Sequence, residues 1–173
     1  SVNLPHDGVT DLTTTDFTVT ATWRPNELAG SVDVVAFVAD SRAAVSADED
    51  FLFYNHPNHP TGVISLDLDS AGEASAEING SRLGADRRIT LAAAIDGAGT
   101  FGQLGAIELV VRSSDGAQLA RATLDAASEE TSMLLAEIYW RNGALRFGAV
   151  GQGYQRSLAG LAVSFGVDVE DEA

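Results

Sequence analysis

Along most of the chain apolar and polar residues alternate with a period of two, which predicts a mainly β protein. Asp16 to Trp23, DFTVTATW, is the clearest case. Phe17, Val19, Ala21 and Trp23 share one face, and β-branched or polar residues occupy the other. Arg24-Pro25-Asn26 ends that strand. Val32 to Ala39 is nearly all apolar, as expected of a strand covered on both faces. The same reading gives strands over Gly62 to Asp69, Ala74 to Ile78, Arg88 to Ile95, Gly105 to Arg112 and Gln118 to Leu124, and an aromatic-rich strand over Phe51 to Asn55. Turn residues separate them: Asp69-Ser70-Ala71-Gly72-Glu73, Asp96-Gly97-Ala98-Gly99 and Asp115-Gly116.

The most informative stretch is Glu129 to Val167. Asn142-Gly143 is a strong signal for a two-residue hairpin turn, because a type I′ turn needs positive φ at both central positions. Its flanks read as paired strands, Ser132 to Arg141 and Ala144 to Val150. Leu134, Leu135, Ile138 and Tyr139 also fit a helix, but the run ends on Tyr139-Trp140, aromatics that favour a pleated surface. Beyond Gly151-Gln152-Gly153, read as a link, Leu158, Leu161, Ala162 and Phe165 recur at helical spacing. Gly166 closes this helix as a C-cap. The expected fold is an antiparallel β-sandwich of about nine or ten strands with a short C-terminal helix, in one domain over residues 1–173.

Composition narrows the function. The 173 residues are 45% hydrophobic with no long apolar run, so neither membrane insertion nor a signal peptide is expected, and the cytoplasm is the expected compartment. With no cysteine there are no disulfides, thiolate metal sites or thiol nucleophiles. The protein is acidic: 25 acidic residues face 10 basic ones, a net charge of −15, which repels phosphate backbones and argues against nucleic acid as a partner. All ten basic residues are Arg, so lysine Schiff-base and P-loop chemistry are absent.

Catalytic patterns are thin. No G-x-S-x-G elbow exists, and His6, His56 and His59 lie in turn-like sequence without a recognisable acidic orienter. His56-Pro57-Asn58-His59-Pro60 reads as a solvated loop, since its two prolines keep it extended and no third metal ligand adjoins the histidines. Gly151-Gln152-Gly153 lacks the third glycine and the following strand of a dinucleotide-binding turn.

Six separate words carry a resemblance: Glu130-Thr131-Ser132-Met133, Glu137-Ile138-Tyr139, Arg141-Asn142-Gly143, Ala149 to Tyr154, Leu158-Ala159-Gly160-Leu161-Ala162 and Phe165-Gly166-Val167. With Ser1-Val2-Asn3-Leu4, Asp50 to Asn55 and Phe101-Gly102-Gln103 upstream, they make the chain similar to the TerD-domain family of bacterial tellurium-resistance and stress-response proteins. The resemblance implies a non-enzymatic stress-response module, acting with other proteins of a stress-response system, that binds calcium between loops at one end of a β-sandwich.

Set against that family, the calcium motifs of this chain are eroded. Asp33 is retained, but Ala29 and Ser31 stand where further acidic groups would sit, and Asp67, Asp69 and Glu73 are the stub of a longer acidic loop. The Asn55 side chain is the remaining candidate ligand. A hard divalent cation needs six to eight oxygens, so these residues are expected to hold one ion weakly or none, the alternative being a metal-free protein-interaction module of the same fold and, behind it, an enzyme of unrecognised type.

Overall fold

The computed structural model describes residues 1–25 and 31–168; Ala29 lies outside the described residues. In chain order the elements are β1 (Val2–Leu4), β2 (Val9–Leu12), β3 (Asp16–Thr22), β4 (Ser31–Ala39), β5 (Phe51–Leu52), β6 (Ile64–Ser70), β7 (Glu73–Asn79) and β8 (Arg88–Asp96). A four-residue helix α1 (Phe101–Leu104) follows, then β9 (Ile107–Ser113), β10 (Gln118–Leu124), β11 (Ser132–Arg141), β12 (Ala144–Tyr154) and α2 (Leu158–Ser164).

The strands form two six-stranded sheets, ordered β1-β10-β9-β3-β7-β6 and β2-β12-β11-β8-β4-β5. Phe17, Val19 and Ala21 from the first sheet meet Val34, Ala36 and Val38 from the second in one apolar core, which is why alternation dominates the sequence. The Phe and Val side chains among them each contribute about 1.5–3 kcal/mol on leaving water. Among the described residues every strand pairing is antiparallel except β1 with β10, which is parallel. β1 and β2 are strands that the sequence pattern does not reveal, being three and four residues long.

β4 is buried on both faces, as its apolar run requires. Val34, Ala36 and Val38 face the other sheet, while Val35, Phe37 and Ala39 pack under Leu161, Ala162 and Phe165 of the α2 region. α2 starts at Ser157, whose Oγ accepts from the Gly160 N–H at 3.1 Å. It stops at Gly166, φ 81°, where the N–H groups of Gly166 and Val167 donate to Val163 and Ala162 carbonyls, a Schellman closure.

Asn142 and Gly143 take φ 51° and 79° at the tip of the β11–β12 hairpin. The expected link at Gly151-Gln152-Gly153 belongs instead to β12, which pairs with β11 as far as Tyr154. A bulge explains it: Val150 and Gly151 stand opposite the single residue Leu135, and Gly151 takes φ 72°. His6 fills the space beside Gly151, where a Cβ would come within 2.5 Å of its Nδ1.

The aromatic strand is shorter than its composition predicts. Only Phe51 and Leu52 pair with β4, after which Phe53 and His56 close a tight turn by a single bridge. Asn55 is therefore an exposed turn residue rather than part of a strand.

Candidate functional site

Four rings form a continuous stack: Phe165 on Phe37 (4.2 Å between centroids), Phe37 on Phe51 (5.1 Å) and Phe51 on Phe53 (4.9 Å). Tyr54 meets Phe53 edge-on at 5.4 Å and is 67% exposed. This row anchors Tyr54 at one end of the sandwich, where two adjoining cavities share Asp33, Tyr54 and Leu158.

The first cavity, about 120 Å³, has Trp23, Phe53 and Leu68 among its apolar walls and Asp33, Ser70 and Glu73 among its polar ones. The second, about 490 Å³, is bounded by Asp33, Asp96, Gly97, Thr131 and Ser157. Asp33 reaches both because β4 pairs with β8 in a register that sets Asp33 against Ala94 and Ser31 against Asp96. Partial burial pushes the Asp33 carboxyl above its usual range, and the nearby Asp96 carboxylate adds to the effect. Among the described residues, no salt bridge involves Asp33 or Asp96.

Of the candidate ligands, Asp33 and Glu73 both line the first cavity. Asp67, Asp69 and Asn55 line neither cavity. The acidic stub has become a tight hairpin: Ser70 pairs with Glu73 across Ala71-Gly72, and Asp67 pairs with Ser75. Asp67 Oδ1 accepts from the Asp69 N–H at 3.2 Å, so part of that carboxylate serves its own turn. Asp96 is the acidic group that sequence reasoning missed, because Asp96-Gly97 reads only as a turn.

Calcium fit can be judged from the donors. Oxygen ligands of the right hardness are present, but the carboxylates are divided between two cavities and one of these has largely carbon walls. Among the described residues, no three acidic or histidine side chains converge into a metal-holding group. The donor set does not fit a full calcium cage.

The histidine loop departs from expectation. His59 is buried, and it does have an acidic orienter: its Nε2 lies 2.9 Å from Asp50 Oδ1. His59 Nδ1 lies 2.7 Å from Thr61 Oγ1 and accepts from the Thr61 N–H at 3.2 Å, which places the ring proton on Nε2. Asp50 Oδ2 accepts from the Ser46 N–H and lies 3.8 Å from Arg87 Nη1. The order Thr-His-Asp resembles a catalytic relay, but its hydrogen bonds are spent on the loop. The Nδ1 lone pair faces a backbone donor, and Thr61 Oγ1 accepts from the Val63 N–H at 3.3 Å. His59 staples residues 57–64 to the β6 edge, where its N–H donates to the Ile64 carbonyl. His56 and His6 lie apart from it, against the Glu49 carbonyl (3.3 Å) and Asp125 (3.6 Å) respectively.

No helix among the described residues is long and apolar enough to cross a membrane.

A family model for the TerD domain matches residues 1–165. The chain is 32% identical over 150 residues to the tellurium resistance protein TerD of Serratia marcescens, covering 79% of this chain and 78% of that protein. It is 36% identical over 138 residues to the chemical-damaging agent resistance protein B of Clostridium acetobutylicum, covering 72% of this chain and 99% of that one. The general stress protein 16U of Bacillus subtilis (strain 168) is 30% identical over 164 residues, with 85% of each chain covered. A match along nearly the whole sandwich, with relatives at this level of identity, places the chain in the TerD domain family.

Proposed function

We propose that this chain is a non-enzymatic binding module of the bacterial response to tellurite and other damaging agents, working in the cytoplasm with other proteins of that response. Its open end holds calcium weakly, one ion at most. The observation that supports this reading is the partition of the acidic groups: Asp33 shares one cavity with Glu73 and the other with Asp96, while Asp67, Asp69 and Asn55 stand aside. The Asp50–His59–Thr61 relay is read as structural because its hydrogen bonds already close the loop.

Calcium titration followed by thermal unfolding tests the cation reading. A ligand present at its Kd stabilises the native state by only about 0.4 kcal/mol. Millimolar calcium should therefore raise Tm by about 2 °C or less, and Asp33→Ala should abolish the rise. A large rise that survives Asp33→Ala would refute the weak site. Loss of the gene should lower survival under tellurite, and unchanged survival would refute the resistance role.

A further inference from the structure

β4 is bonded to β8 along all nine residues, but on its other side β5 meets it only at Ala36 and Phe37. Among the described residues, no strand lies against the Ser31–Val35 half on that side. Such an edge presents a row of backbone donors and acceptors to an incoming chain. The 120 Å³ cavity opens beside this half-strand, which contributes Val32, Asp33 and Val34 to its lining.

We propose that this end of the sandwich is a docking slot for an extended, arginine-bearing segment of a partner protein, which adds to the Ser31–Val35 edge, where no described strand pairs, and places its guanidinium in the cavity that Asp33 and Glu73 both line. Strand addition supplies the main-chain pairing, and the side-chain slot supplies the selectivity. The proposal rests on the chain being a binding module and names what it binds.

Charge and cavity chemistry choose the occupant. The chain carries −15, and among the described residues no ion pair involves Asp33, Glu73 or Asp96. The raised Asp33 carboxyl agrees with an acidic end that lacks a cation. Trp23, Phe53 and Leu68 give the cavity apolar walls that a bare metal ion cannot use. A guanidinium can use both kinds of wall, stacking its plane on an aromatic face and pairing with carboxylates at its edge.

The test uses fluorescence anisotropy with a fluorescein-labelled seven-residue peptide of alternating Val and Thr and one central Arg. Binding is expected. It should weaken about tenfold or more when Arg is replaced by neutral citrulline, when alternate peptide amides on one edge are N-methylated, and in the double variant Asp33→Asn/Glu73→Gln. The two peptide arms use the unaltered protein, so they stand even if the double variant folds poorly. Asp115→Asn, at the β9–β10 turn and the far end of β3 from Trp23, should leave binding unchanged. Amide exchange should slow at residues 31–35 when peptide is bound. No binding, indifference to N-methylation, or equal weakening by Asp115→Asn would overturn the slot, the last by showing attraction to net charge alone. The calcium titration runs in parallel on the same samples: a small Asp33-dependent shift without peptide binding defeats the slot and leaves the weak-cation reading standing.

Discussion

Replacing Phe165 with Ala measures how far the second sheet depends on its cover. Phe165 is 7% exposed and stacks on Phe37 at 4.2 Å with ring planes 5° apart. Phe37 is itself fully buried, so truncation leaves a void against a ring that cannot relax outward without breaking its contact with Phe51. Phe→Ala at such a site costs about 3–5 kcal/mol, and the ring stack puts this position toward the upper end. For a protein of this size that corresponds to a fall in Tm of about 6–20 °C. Urea unfolding followed by tryptophan fluorescence gives the free energy directly, and an unchanged m-value would show that the unfolding unit is the same. Phe165→Leu keeps most of the volume and should cost about 1.5 kcal/mol or less. A loss below 1 kcal/mol for Phe165→Ala would refute the reasoning, since it would mean that α2 can leave without exposing Phe37.

Two further predictions address the hairpin and the acidic end. Gly143→Val puts a β-branched residue at φ 79° with nothing nearby to clash, so the cost should be backbone strain alone, about 1–3 kcal/mol by urea unfolding. An equally stable variant would show that the turn re-forms in another shape. Asp33→Asn should stabilise the protein at neutral pH. The folded carboxyl titrates above the unfolded value of 3.8, so below that value it is neutral in both states and costs nothing. Stability is then lost as pH rises from 3.8 through the raised folded value, and Asn escapes that loss. The difference between variant and parent should therefore grow from pH 3.5 to pH 7; a variant less stable than the parent at pH 7 would show that the Asp33 charge is needed for folding.

What the sequence revealed follows from how each residue's surroundings act on its neighbours in the chain. The double-covered β4, the Asn142-Gly143 turn and the Gly166 cap were legible because local sterics and burial period fix them. The ambiguity over residues 133–140 has a structural cause. Leu135 is an extra residue between the β8 partners of Leu134 and Ala136, so Met133, Leu135, Ala136 and Ile138 face the core while Leu134 packs on the α2 side, which leaves apolar residues on both faces and no clean period of two. β1 and β2 left too few residues to show a period, and their pairing with β10 and β12 is set by distant chain. The buried Asp50–His59 pair was hidden because a histidine flanked by prolines reads as solvent-facing until the loop folds back on β6. Asp96 was hidden because its proximity to Asp33 exists only through the β4–β8 register.

The pairing of β1 and β2 with late strands bears on the order of assembly during synthesis. Gln118 Nε2 reaches Ser1 Oγ across 117 positions, and Arg146 reaches Asp11 across 135. Both early strands are edge strands of different sheets, so each must wait on the ribosome for a partner made long afterwards. At bacterial elongation speeds of about 5–20 residues per second, that wait is about 6–27 seconds, long compared with strand collapse. Throughout that interval Val2 and Val9, 45% and 40% exposed even when paired, belong to a nascent arm with no native place to go. Nascent-chain capture by holdase chaperones should therefore fall abruptly once β12 clears the exit tunnel.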